Sequence, residues 1–243
     1  MHKETTAATT GLAARLKEVF GDDLSALVLY GSAATDSYRQ GVSDINVLVV
    51  LENSSAAKIF KLGKAAKSLL RKYRVSPFIM TREEFTAAVD VFPLEYCDIL
   101  DTHKVVYGDK EILGISVCRD NLRYELEEKL RGAVGDIRGI LLAAGGNEKL
   151  LGKILLRWAG MGGVLFRGLL RLKGKSVGGL DGEAILGEVE KEYGVSLEGF
   201  ANLNRLRKSK KLKTVKASAL ADSLIEPLKA LVRAVDAMGR GAS

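Results

Sequence analysis

The chain has little of several things. Its 243 residues include two cysteines, two histidines, three prolines and one tryptophan, and aromatic residues make up only 6%. Cys97 and Cys118 cannot build a disulfide framework and form no Cys-x-x-Cys pair. They read as two small buried thiols in a reducing cytoplasm. With His2 and His103 alone, zinc sites built on His and Cys and most histidine-based catalysis are excluded. Met1 to Thr10 lacks the apolar core of a signal peptide, and no apolar run approaches the ~18 residues that a bilayer span needs. What remains is 47% hydrophobic and 28% charged, the balance of a folded, soluble protein.

The proline distribution divides the chain. Pro77, Pro93 and Pro227 leave residues 94 to 226 without proline, which suits a helical second half. The first half alternates instead. The pattern predicts a helix over Thr9 to Phe20, a buried strand over Ala26 to Tyr30, and a second strand over Ile45 to Leu51. A helix follows over Ser55 to Tyr73, with Lys58, Lys61, Lys64 and Lys67 in steps of three. A third strand is expected over Val75 to Met80. Thr81-x-x-Glu84 reads as a capping box opening another helix, and Val105 to Tyr107 as an edge strand. From about residue 115, Leu122, Leu126, Leu130, Val134, Ile137 and Leu141 recur at helical spacing, and further helices are expected at 148–173, 181–193, 197–207 and 215–238. The expected fold is α+β, with a small mixed sheet over residues 1–112 and an all-α helical bundle over 113–243. Gly132, Gly135, Gly139, Gly152, Gly160 and Gly163 fall inside these helices, where close helix–helix approach is expected to explain some of them, the sequence not saying which.

The segment from Leu27 to Val50 carries the chemistry. It reads Leu-Val-Leu-Tyr-Gly-Ser, then eleven residues, then Ser-Asp-Ile-Asn-Val-Leu-Val-Val. A strand delivers Gly31 and Ser32 to a turn, and the next strand opens with Asp44 and Asn46. Gly31 has no Cβ, so a phosphate can approach its backbone. Ser32 offers a hydroxyl and an amide at the start of a short helix. Asp44 and Asn46 are two apart on a strand, so they share a face. The bland alternative is a strand-turn-helix with Ser32 as a cap.

This pattern resembles the Gly-Ser … Asp-x-Asp signature of the DNA polymerase β-like nucleotidyltransferases, including the minimal nucleotidyltransferases and aminoglycoside adenylyltransferases, over roughly the first 110 residues. The resemblance implies Mg2+ and ATP as cofactors. Gly31 and Ser32 would hold the nucleotide, Asp44 would be the principal metal ligand and catalytic residue, and Asn46 a weaker metal ligand. Nucleoside monophosphate would pass to a hydroxyl acceptor.

The pattern also departs from that family. Its second acid is Asn46, which brings an oxygen but no charge. The third acid, expected on the strand Val75 to Met80, is replaced by Ser76 or Phe78, and no acidic residue lies between Glu52 and Glu83. Glu95, Asp98 and Asp101 follow, and read as a solvated helix end. A rival reading is therefore a catalytically degenerate module that binds a nucleotide or a protein.

Two basic features complete the survey. On a single helix over 148–173, Lys149, Lys153, Arg157, Arg167 and Arg171 would form one stripe, a solvated face or a set of contacts to phosphates. Trp158 would lie in the core. The net charge of +7 resides entirely in residues 205–216, which hold seven basic residues and no acid. Nucleic-acid binding through that segment is a further alternative, with no aromatic residue there for base stacking.

Overall fold

The computed structural model describes residues 2–35, 38–41, 43–158, 162–209 and 216–239, without the side chains of residues 157, 158 and 207–209. The chain divides into two compact units, Met1–Val117 and Cys118–Ser243.

In the first unit, α1 (Lys3–Phe20) begins six residues earlier than its apolar periodicity suggests. Thr5 and Thr9 extend the buried face, the Thr9 hydroxyl donating to the Thr5 carbonyl at 2.9 Å. A buried hydroxyl satisfied inside the helix does the packing work of an apolar residue. After α1 come β1 (Leu24–Tyr30), a single 3₁₀ turn over Gly31–Ala34, β2 (Ile45–Leu51), α2 (Ala56–Tyr73), β3 (Val75–Thr81), α3 (Arg82–Ala87), α4 (Pro93–Asp101) and β4 (His103–Gly108). Two of the starts are chemically marked. Ser55 Oγ accepts from the Lys58 amide ahead of α2, and Thr81 and Glu84 form the expected capping box ahead of α3.

The sheet order is β3-β2-β1-β4, antiparallel except for the parallel β2–β3 pair. β1 and β2 are central and covered on both faces, which is why they read as continuous apolar runs rather than alternating ones. Leu27, Leu29, Val47 and Val49 pack with Leu12, Leu16, Leu62 and Ala66 of α1 and α2. On the other face, Val28, Tyr30, Leu48 and Val50 pack with Phe85, Tyr96 and Ile99 of α3 and α4. Gly108 ends β4 at φ +83°, and a Cβ there would lie 1.8 Å from the Ser25 carbonyl oxygen. Only glycine lets this edge strand close on β1.

The second unit is all helical: α5 (Arg119–Ala144), α6 (Glu148–Trp158), α7 (Gly162–Leu172), α8 (Gly182–Tyr193), α9 (Glu198–Ser209) and α10 (Ala217–Ala237). The α5 stripe is buried at Leu122, Leu126, Leu130, Val134 and Ile137. Together the two units make an α+β fold, a small mixed sheet followed by helices.

Within the span 148–173 the described residues form α6 and α7, both helical as expected, and residues 159–161 between them lie outside the described residues. Two expectations are corrected here. A Cβ at Gly132, Gly135 or Gly139 would meet open space, so close helix approach does not account for those glycines. Cys118 is exposed and Cys97 half-buried, not buried thiols. The core expected around Trp158 and most of the 205–216 segment fall outside the described residues.

α10 starts without a capping side chain of its own. Glu148 of α6 supplies one from elsewhere. Its carboxylate accepts from the Ala217 amide at 2.5 Å and from the Ser218 hydroxyl at 2.7 Å. The Ser218 hydroxyl, then the two backbone amides, hold the carboxyl below its ordinary value of 4.5. Because the folded-state value is depressed, this contribution is present above about pH 4.5 and is lost as pH falls through the folded value. Glu148→Gln is therefore expected to melt lower than wild type at pH 7, with the gap narrowing below pH 4.5, as followed by circular dichroism.

Candidate functional site

The site is built where β1 ends and β2 begins. The register pairs Tyr30 with Asn46, and Asn46 in turn with Ser76. That pairing sets Gly31 against the Asn46 side chain: a Cβ on Gly31 would lie 3.4 Å from Asn46 Nδ2, and Gly31 has φ +70°. A side chain at position 31 would therefore be strained as well as crowded. Ser32 follows in the 3₁₀ turn, half-buried. One 3₁₀ turn of four residues has little dipole to offer, which corrects the expected helix N-terminus at Ser32.

The Gly31 amide is also engaged. It donates to Thr102 Oγ1 at 3.0 Å, and the Thr102 hydroxyl donates to the Asp98 carbonyl at 2.9 Å. Thr102 thus latches the end of α4 onto the turn after β1. Beside it, the buried Tyr30 hydroxyl donates to Glu95 Oε1. Burial first, then the Glu95 and Asp98 charges, push the Tyr30 phenol far above its ordinary value, so it stays a proton donor. Asp98 is only 4% exposed. Of the three acids read as a solvated helix end, Asp101 is exposed, Glu95 is half-buried and Asp98 is buried. The correction has a physical cause: α4 packs Tyr96 and Ile99 on the sheet face that carries Tyr30 and Leu48, and Asp98 is buried near enough for its charge to act on the Tyr30 phenol.

Asp44 stands just before β2, about half exposed, in an ion pair with Arg74 whose Nε lies 2.8 Å from Oδ1. Arg74 caps α2 in the left-handed region at φ 54°, the single such residue other than glycine among those described. Its carbonyl also accepts from the Ile45 amide at 3.0 Å. A residue held in that region costs about 1–2 kcal/mol and persists where its surroundings fix it. Here a backbone bond and an ion pair both tie it to the segment that carries Asp44.

The donor set is thus one carboxylate already paired with a guanidinium, one carboxamide and the Ser76 hydroxyl in register beside it. Among the described residues, no three His, Cys, Asp or Glu side chains are grouped to hold a metal ion. Of the basic residues expected to share one stripe, Lys153 is exposed on α6, while Arg167 and Arg171 are half-buried on α7. The Arg157 side chain lies outside the described residues.

No protein-family model matches the chain, and no curated protein matches its sequence. Its structure is similar to the crystal structure of a spectinomycin adenyltransferase from Enterococcus faecialis with ATP and spectinomycin. The two align with a TM-score of 0.57 over 92% of this chain and 99% of that one, at 12% identity. The fold is nucleotidyltransferase-like. In this chain the sequence motif falls on the turn at Gly31 and the start of β2. Sequence reasoning missed Arg74 and Thr102. Arginine carries no left-handed-cap signal of the kind Gly or Asn gives, and Thr102 meets Gly31 across 71 residues.

Strain and ion pair at Arg74 oppose one another, and two substitutions separate them. Arg74→Gly relieves about 1 kcal/mol of backbone strain and loses an exposed pair worth about 0–1 kcal/mol, so its stability should lie within about 1 kcal/mol of wild type. Arg74→Ala loses the pair and keeps the strain, so urea denaturation should find it about 1 kcal/mol less stable than Arg74→Gly.

Proposed function

We propose that the chain is a nucleotidyltransferase-fold protein that binds a nucleoside triphosphate without carrying out two-metal transfer. The observation that carries this reading is the ion pair at Asp44. The carboxylate the motif offers to a metal is already neutralised by Arg74, and its neighbours Asn46 and Ser76 bring no charge. Two-metal catalysis relies on carboxylates that clamp both ions against attacking and leaving oxygens. Asp44, Asn46 and Ser76 do not fit that clamp, so Mg2+ is assigned no step here beyond travelling with the phosphates of its nucleotide.

ATP is the proposed nucleotide, because the adenyltransferase of similar fold was solved with it. The Ser32 hydroxyl and the Arg74 guanidinium are the groups assigned to its phosphates. A planar, permanently charged donor suits phosphate as well as it suits Asp44, so the nucleotide would compete with Asp44 for Arg74. Gly31 keeps the turn low enough for that approach. The second reading, transfer of AMP to a hydroxyl acceptor, draws support from Glu95 and the buried Asp98, whose carboxyls α4 carries to the same sheet face as Tyr30 and Leu48.

Calorimetric titration with a non-hydrolysable ATP analogue, with Mg2+ or with chelator, separates the two. Binding is expected in wild type and in Asp44→Ala, with less than about threefold dependence on the metal. Arg74→Ala should weaken it about tenfold, the loss of one charge-assisted contact to phosphate. Metal-dependent binding abolished in Asp44→Ala, together with AMP transfer from labelled ATP, would establish the transferase reading instead.

A further inference from the structure

The first unit is close to neutral by sum, with 14 basic and 15 acidic residues, and strongly polarised by position. Residues 53–82 hold eight basic residues and no acid. Six of them lie on α2: Lys58, Lys61, Lys64, Lys67, Arg71 and Lys72. The helix buries Leu62, Ala66 and Leu69 against the core. At 100° per residue, Phe60, Lys64, Lys67 and Arg71 fall within about 60° of one another on the opposite side. All four are exposed, Phe60 at 67%.

This is not the usual solvated face of a surface helix. Such faces interleave acids and bases so that i,i+4 pairs compensate. Here Lys58 alone of the six reaches an acid, Asp23; among the described residues the other five have no ion pair. Lys58–Lys61, Lys61–Lys64, Lys64–Lys67 and Lys67–Arg71 are like-charge neighbours, each unfavourable to the helix. The stripe also has a shape. Lys64, Lys67, Ser68, Arg71 and Lys72 line a shallow groove, and the Lys64 ammonium sits 4.9 Å from the centre of the Phe60 ring. From Phe60 to Arg71 it spans about 16 Å.

We infer that α2 is a docking surface for single-stranded nucleic acid, a role independent of the nucleotide site at Asp44. Lys64, Lys67 and Arg71 would each neutralise a phosphate of the strand, and the exposed ring of Phe60 would stack on a base. A cationic track with one projecting aromatic is the arrangement that favours a single strand over a duplex, whose bases are not presented for stacking. The segment 205–216 lacks such an aromatic; α2 has it.

The probe is a fluorescein-labelled twelve-nucleotide oligouridylate, read by anisotropy between 50 and 200 mM salt on the full chain. Wild type is expected to bind at low salt, and the triple variant Lys64→Glu, Lys67→Glu, Arg71→Glu to bind at least tenfold more weakly. Removing three phosphate contacts should flatten the slope of log affinity against log salt by about 2. Phe60→Ala, on an exposed side chain that folding does not need, should cost at least about fivefold without changing that slope. Asp44→Ala should bind as wild type. The inference is overturned if wild type does not bind at 50 mM salt, if the triple variant binds equally well while its melting curve is intact, or if Phe60→Ala has no effect. It is equally overturned if an RNA duplex, oligoglutamate-displaceable contacts or phosphatidylserine vesicles account for the binding, or if charge reversal of 205–216 alone abolishes it.

Discussion

The register of β2 between β1 and β3 is the constraint from which the rest of the first unit follows. Pairing Tyr30 with Asn46 and Asn46 with Ser76 fixes which residues gather at one end of the sheet. A slip of one residue would turn Asn46 into the α1–α2 core and bring Val47 to the site. Both faces of β2 are covered by apolar side chains, so that slip is strongly opposed. Everything chemical at this end, from the Gly31 contact to the Asp44–Arg74 pair, is set by that pairing.

The same register shows what has been exchanged. At the three places where the family resemblance leads one to expect negative charge, the chain offers Asp44, Asn46 and Ser76. Arg74 then adds a fixed cation. A guanidinium is charged at every accessible pH, makes directional bonds and needs no coordination shell. The nearby Glu95 carboxyl has a different task, holding α4 against the Tyr30 hydroxyl, while Thr102 ties the Asp98 backbone carbonyl to the turn at Gly31. Local charge balance is therefore reached within the chain. Of the six basic residues of α2, only Lys58 has an ion pair among the described residues, and that contrast is what the proposed docking surface rests on.

Much of the fold was legible in the sequence because its signals are short-range. β1 and β2 are uninterrupted apolar runs, α2 and α3 open on serine and threonine caps, and α5 shows its buried stripe at three- and four-residue spacing. α1 was read short because Thr5 and Thr9 are polar by type yet buried, the Thr9 hydroxyl being satisfied within the helix. Over 148–173 the apolar periodicity matches the helical residues of α6 and α7. At the site, Gly31, Ser32, Asp44 and Asn46 stood out as a spaced motif. Arg74 and Thr102 did not, because their contacts join residues 30 and 71 positions apart, and no local pattern encodes those. The burial of Asp98 was hidden for the same reason: its neighbours come from the sheet, not from its own helix.

The central claim is that Asp44, paired with Arg74 and flanked by uncharged Asn46 and Ser76, does not hold a metal. Its most direct test is an electron paramagnetic resonance titration of Mn2+ into the protein with a non-hydrolysable ATP analogue present. The account predicts no bound Mn2+ beyond what the nucleotide carries, and the same spectrum for wild type and Asp44→Ala. A stoichiometric protein-coordinated Mn2+ signal that disappears in Asp44→Ala would contradict it.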